Sequence, residues 1–363
     1  MKRFLLLIIP LLAISCGNGG KAGDEPKVIP FGDGQTFEAI QKHVSEVSYL
    51  PLETNDSSRF SSAGKVLFRD GMIYIGDYTL GKICVFDSTG GCRMVLDSVS
   101  GPDTMWSFTV DNTRIDVMDL MRLKLNRYDK ESGELAESLD LPVFAFDIEA
   151  LGNEDFLFCC MPMGGRPPIQ QSAHRIFITD PDLNIKEEMI GYPVFTQDLI
   201  HPRPLLTVSD DRIAMFSFQE DGYYVFDRKD GHLLEKVQIA FSNPIPEQLK
   251  GDGSSLSGGY SFIVSSPYLL GDWTSFMAKV GEGGGLYEYD FANGTLFSIS
   301  TQEKGTYLYN IVGTLDGAFV GLISHWSANY DLLVENGFQK ADPVSEAAIR
   351  RDDPVLIFYK VKP

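Results

Sequence analysis

The residues of this chain that could do chemistry are few and scattered. The five histidines are His43, His174, His201, His232 and His325. None stands in a His-Glu-x-x-His or comparable metal-ligand spacing. There is no Gly-x-Ser-x-Gly nucleophile elbow and no Cys-x-x-Cys pair. The run Gly281-Glu-Gly-Gly-Gly285 falls between two strand-like segments rather than before a helix, so it reads as a hairpin loop and not as a phosphate cradle. Aspartates recur at turns without the alternating oxygen-ligand spacing of a calcium loop, and turn formation explains them. No residue is therefore assigned a catalytic, metal-binding or cofactor role. What remains is a set suited to grasping a partner: Arg166, His201, Arg203, His325 and Trp326. Arginine and tryptophan bury large areas and make directed contacts, as interface anchors do.

The elements that must position these residues follow from a repeated hairpin. Residues 225–239 read as an apolar run ending on Asp227, a turn with Gly231 at positive φ, and a second run. The same layout leads from Asp87 to Gly91, Asp129 to Gly133, Asp180 to Asn184, and Asp290 to Gly294. The five aspartates stand 42, 51, 47 and 63 residues apart, a period that points to a propeller or solenoid. A second strand pair precedes each of the first four hairpins, so one repeat is four antiparallel strands, a to d. Four blades cover roughly 63–97, 105–141, 144–190 and 204–240, and a less regular fifth covers roughly 260–300. A sixth begins near Tyr307 and has its third strand in 355–361. The strand at 46–53 is spare and is expected to complete it. The expectation is an all-β, six-bladed β-propeller of four-stranded antiparallel blades, closed by the N-terminal strand. Residues 37–43 read as a short helical turn.

In this scheme the a–b and c–d turns share one face of the disc and are short. The b–c and d–a loops share the other and are long: 163–172, 197–203, 243–259 and 324–354. All five candidate partner-binding residues fall in these long loops, where a rigid scaffold concentrates binding groups. Within the last insertion, Asp342-Pro343 and the following 344–351 read as a short capped helix. The innermost a strands, such as 66–68 and 205–208, read as mostly apolar, which favours binding over catalysis.

The N-terminus reads as a targeting segment. Lys2 and Arg3 precede a short apolar core, and Ala13-Ile14-Ser15 precedes Cys16. Residues 1–15 read as a signal peptide, and 16–36 as a lipidated cysteine followed by a flexible tether. Residues 37–363 form one propeller domain. The net charge of −19 becomes −21 once Lys2 and Arg3 are removed, and no basic stripe compensates it, which argues against nucleic acid as a partner. Cys84 and Cys92 flank one hairpin and are expected on opposite sheet faces. With Cys159 and Cys160 they are expected as free thiols.

The Cys16 layout, the Tyr-Leu-Pro-Leu-Glu-Thr opening at 49–54, the Val-Phe-Asp hairpins and the closing Asp-Pro-Val-Leu-Ile-Phe-Tyr-Lys at 353–360 together resemble the six-bladed, TolB-like propeller lipoproteins of Bacteroidetes. The resemblance covers nearly the whole mature chain. It implies the propeller fold and an outer-membrane lipoprotein, periplasmic or surface-facing, that meets the membrane through its lipid anchor only. It carries over no catalytic residue. The function it leaves is a non-catalytic binding or scaffolding module for a protein or glycan partner. The alternative is a propeller lyase, lactonase or glycosidase with its site at the channel mouth.

Overall fold

The computed structural model describes residues 25–31, 37–38, 40–97, 105–160, 174–191, 199–281, 286–292, 295–298, 308, 310–324 and 327–362. These form six sheets, one per blade. Blade one is typical: strand a is Lys65–Arg69, b is Met72–Asp77, c is Lys82–Asp87 and d is Cys92–Leu96, paired in that order. The pattern of burial follows from the stacking. Strands a to c lie between neighbouring blades and are buried on both faces, whereas the outer strand Leu135–Asp140 of blade two is almost wholly exposed. The core is thus a set of apolar seams between blades; one joins blades three, four and five through Ile176, Phe216, Phe226, Phe262 and Phe276. Each such aromatic contributes on the order of 2–3 kcal/mol of burial.

Local turn chemistry explains the hairpins. Asp87 Oδ1 accepts from Thr89 N, Thr89 Oγ1 and Gly91 N, and Asp129 Oδ1 accepts from Glu131 N, Ser132 N and Ser132 Oγ. The aspartate satisfies backbone donors that the turn leaves open. The left-handed residue comes four positions after the aspartate in blades two and four, at Gly133 and Gly231, as expected. In blades one and three it comes one position earlier, at Gly90 and Leu183 rather than Gly91 and Asn184, because these loops are one residue shorter. The turn of blade five lies outside the described residues.

The same turn in blade one carries a bulge. Cys84 opposes Val95, but Arg93 is an extra residue, so Phe86 opposes Cys92. The bulge rotates Cys92 to the side of Cys84, and both pack with Phe86 and Val95 in one apolar seam. The expectation of opposite faces is therefore corrected. Cys84, Cys92, Cys159 and Cys160 are all free thiols, and all but Cys92 are buried.

The ring closes as the sequence implied. Strand Val44–Pro51 pairs antiparallel with Val355–Val361 as the outer strand of blade six, with Tyr49 opposite Ile357. Two departures precede it. Lys27–Phe31, read as tether, forms a fifth strand parallel to Leu233–Phe241 of blade four, because Ile29 and Phe31 enter its apolar seam. Phe37–Glu38 likewise adds in parallel to Thr295–Ser298 of blade five, and the expected turn at 37–43 narrows to a 3-10 turn at Ile40–Lys42. Strand a of blade five is split into Phe262–Ile263 and Tyr268–Leu270. Pro267 has no N–H for the ladder, and at the break Met277 N donates to Ser265 Oγ at 2.8 Å.

The insertion in blade six holds two helices, α1 (Ser327–Glu335) and α2 (Pro343–Arg350). The second was legible: Asp342 accepts from Val344 N and Ser345 N, and Pro343 occupies the first turn. The first was not. Tyr330 and Leu333 dock it on the propeller, where the Tyr330 hydroxyl accepts from Ala341 N at 3.0 Å.

Gly90 ties the hairpin of blade one to the closing strand. Its φ is +83°, its carbonyl accepts from Glu53 N, and a Cβ there would stand 2.1 Å from Pro51 O. Gly71 has φ +73° but open space around a Cβ. Gly71→Ala should cost about 1 kcal/mol, the left-handed penalty alone. Gly90→Ala should cost about 2 kcal/mol or more, since the closing strand must also shift. Urea unfolding of the two variants checks this; equal losses would mean that the turn does not bear on the closing strand.

Candidate functional site

The six a strands line the central channel, and on blades one to three their inward positions are not apolar. Residues alternate faces along a strand, so Lys65 and Arg69, Ser107 and Thr109, and Asp147 and Glu149 each share a face on blades one, two and three. They converge. Lys65 Nζ donates to Asp147 Oδ1 at 2.9 Å and to Ile148 O at 2.8 Å, and lies 2.7 Å from Glu149 Oε1. Ser107 Oγ also donates to Asp147 Oδ1. The other oxygen, Asp147 Oδ2, accepts from Leu205 N and Leu206 N of blade four, each at 2.8 Å. Thr109 Oγ1 donates to Glu149 Oε2 at 3.1 Å. This corrects the expectation of apolar a strands for blades one to three, where it rested on residues 66–68 rather than on Lys65 and Arg69 either side of them; residues 205–208 of blade four are mostly apolar as expected.

The cluster is closed. The side chains of Lys65, Asp147 and Glu149 are 1%, 2% and 0% exposed. Burial alone would lower the Lys65 pKa, but Asp147 and Glu149 outweigh it and the ammonium is held more firmly than usual. Burial, reinforced by Asp147, pushes the phenols of Tyr78 and Tyr268 up, so they stay protonated. Lys65 answers one of the two carboxylate charges and Arg69, with Nη2 3.8 Å from Glu149 Oε2, answers the other, and the burial of Lys65, Asp147 and Glu149 keeps these groups from a substrate.

The long-loop face above it carries a different set. Tyr78 and Trp106 stand at the ends of blades one and two, and Arg203 comes from the loop entering blade four. The Arg203 guanidinium lies over the Trp106 ring at 4.0 Å and near the Tyr78 ring at 5.6 Å. His201 stacks on Phe146 at 6.4 Å with an interplanar angle of 15°. Phe146 in turn meets Trp106 and Phe144 edge-on, at 5.6 and 5.5 Å. Two of the expected residues, His201 and Arg203, are therefore brought into one aromatic group, both exposed to solvent. Arg166, His325 and Trp326 lie outside the described residues, as does Cys16. Trp106, Phe144 and Phe146 were missed. Their signal was aromatic density at the entries of the a strands of blades two and three. Elsewhere, Asp227, Asp230 and His232 bring three ligand-type atoms within 4.8 Å, on an exposed turn where His232 Nδ1 already meets Asp230 Oδ1 at 2.6 Å.

The buried cluster gives a test. Lys65→Met leaves two carboxylates buried without their cation and should cost about 3–5 kcal/mol at neutral pH. In the wild type the raised Lys65 pKa keeps its contribution fully present below the ordinary lysine value, lost only as pH rises beyond it. In the variant the orphaned carboxylates favour protonation, so its deficit should shrink as pH falls toward about 4–5. Urea unfolding across pH reads both; a constant deficit would show that the carboxylates do not depend on Lys65.

Comparison with known proteins agrees with this fold. No curated protein matches the chain in sequence. A protein of Bacteroides fragilis described as exported superposes with TM-score 0.73 at 16% identity, over 93% of this chain and 100% of that one. A DUF4221 member from Bacteroides vulgatus gives 0.50 at 10% identity, over 88% and 97%. These likenesses show the fold alone. The sequence profile of DUF5128, a 6-bladed β-propeller, matches residues 17–263, and the chain belongs to that family.

Proposed function

We propose that this protein is a non-catalytic binding or scaffolding module of the bacterial envelope, whose protein or glycan partner docks on the long-loop face. The observation that carries the reading is the exposed Arg203 guanidinium stacked 4.0 Å over the half-buried Trp106. A flat aromatic with an arginine beside it offers apolar area and directed hydrogen bonds at once, which suits the centre of an interface or the face of a sugar ring. His201 extends the same surface through Phe146. Arg166, His325 and Trp326, outside the described residues, stay in the proposed partner-binding set on the strength of the sequence. The alternative, a lyase, lactonase or glycosidase, draws support from the convergence of Lys65, Asp147 and Glu149 on inner strands. Their burial argues against it, because a general acid or base must reach its substrate.

Envelope location rests on the signal-like N-terminus, on Cys16 and on the exported B. fragilis protein of the same fold. Cys16 is the site of lipid attachment in this proposal, and the anchor is the chain's contact with the membrane. Metabolic labelling with a clickable fatty acid should mark the wild type and leave Cys16→Ser unmarked; a wild type without label removes the anchor.

For the docking face, Arg203→Ala and Trp106→Ala should each cost about 1–4 kcal/mol of partner affinity, the range of interface anchors. Pull-down from envelope extract and a glycan array compare them with Asp227→Ala on the opposite face. Binding lost only with Asp227→Ala places the partner on the turn side. Turnover of a sugar lactone or glycoside that disappears in Glu149→Gln replaces the binding reading by the enzymatic one.

A further inference from the structure

The long-loop end of the channel hides its negative charges and shows its positive ones. Asp77, Asp119 and Asp147 stand at this end of blades one to three, and all are buried. Asp77 Oδ2 accepts from Ser61 N and Ser61 Oγ at 2.6 and 2.8 Å, and its Oδ1 accepts from Leu80 N. Asp119 Oδ1 accepts from Arg122 N, and its Oδ2 pairs with Arg122 Nη1 at 2.7 Å. Asp147 belongs to the buried cluster. The b–c turns of blades one and two therefore leave Leu80 and Met121 outward, 43% and 70% exposed, with Arg122 beside them. The exposed Asp97 and Asp140 lie at the ends of outer strands, and Asp140 is paired with Lys124 at 2.7 Å. On a chain of net charge −19, this inner surface is apolar and cationic.

Arg203 lies over the same two blades. Among the described residues no carboxylate pairs with it; its contacts are the Trp106 ring at 4.0 Å and the Tyr78 ring at 5.6 Å. A guanidinium held on an indole keeps its N–H groups at the edge of the stack and loses little freedom when an acceptor arrives there. The rings themselves are engaged. Trp106 packs against the apolar seam between blades two and three, and Phe146 against the seam of blades three to five. Arg203 lies over the first ring and His201 over the second. A sugar ring stacks on an open aromatic face, whereas these faces carry Arg203 and His201.

We propose that the partner of this face is a protein segment with one carboxylate side chain flanked by apolar residues. The carboxylate takes the N–H edge of Arg203, and its apolar neighbours cover Leu80 and Met121. This rests on the reading of the long-loop face as a docking surface and narrows it to one class of partner. Charge selects the carboxylate: the guanidinium matches it in two parallel hydrogen bonds, while the acidic chain as a whole repels a dense polyanion. Exposed methionine and leucine select a protein over a glycan, because they gain by burial against aliphatic side chains. Trp106 is a positioning residue in this arrangement, acting through Arg203.

The test uses the folded chain and three probes: a capped hexapeptide with one glutamate between two leucines and serines outside them, its glutamine counterpart, and trigalacturonate. Peptide-observed NMR at millimolar concentration reads the affinities. The glutamate peptide should bind, and the glutamine peptide should be weaker by about tenfold or more, the scale of one lost charged hydrogen bond. Arg203→Ala should lose as much, Arg203→Lys less, and added sodium chloride should weaken binding. Leu80→Ser and Met121→Ser should weaken both peptides alike. Trp106→Leu should weaken the glutamate peptide and Trp106→Phe restore it; if Trp106→Leu does not fold, the Arg203 variants decide. Arg93→Ala, an exposed arginine of the outer strand of blade one, should bind as the wild type does. The proposal falls if the glutamate peptide does not bind, if the two peptides bind equally, or if Arg203→Ala binds as the wild type does. It also falls if trigalacturonate binds more tightly than the peptide and is lost in Arg203→Ala, which keeps the docking face and makes its partner an acidic glycan. Silence of all three probes removes the docking face as well.

Discussion

Four of the six blades meet at a single carboxylate. Asp147, from the third blade, takes the Lys65 ammonium of the first, the Ser107 hydroxyl of the second and two backbone N–H groups of the fourth. Apolar seams hold neighbouring blades together but are tolerant of small shifts, because dispersion is non-directional. The bonds to Asp147 are directional and buried, so they fix the angle at which these blades approach the axis. Glu149, one period further along the same strand, also meets Lys65, and Arg69 beside it supplies the second positive charge. A buried ion cluster is weak evidence for added stability, since hydrophobic replacements can be as stable. Its contribution here is register: the inner strands can sit in one arrangement that leaves every carboxylate oxygen near a donor.

The cluster also divides the channel. On one side the long loops gather aromatic rings around Arg203; on the other the short turns leave Arg69 facing a small polar cavity. Residues on opposite ends of the same inner strand therefore face unrelated chemistry, with the buried ion cluster between them. A propeller built this way has two chemically distinct ends to its axis.

The fold was legible because its signals are local. An aspartate capping its own turn and a glycine at positive φ are read from four or five residues, and they recur once per blade. The closing strand was legible because an unpaired edge is costly and one spare strand remained. The short loops of blades one and three were off by a residue, and the bulge at Arg93 was unseen, since both depend on how the two strands twist together. The inner charges were the harder case. Lys65 and Arg69, Ser107 and Thr109, Asp147 and Glu149 each show the two-residue period of one strand face, yet sequence alone does not say that the three faces meet. Helix α1 was missed for a related reason: Tyr330 and Leu333 are its main docking contacts, too short a stripe to register as amphipathic.

The first strands of the chain join blades four, five and six in turn, each beside a strand that comes much later in the sequence. The entropic cost of closing loops so long falls on the final steps of folding, after blades one to three can order from local contacts. Until then the outer edges of three sheets stand open together. A chain interrupted before residues 355–361 would therefore keep Val44–Pro51 without its native edge, and strand exchange between copies becomes the competing reaction. The kinetic hazard of this architecture is concentrated in its last seven-residue strand.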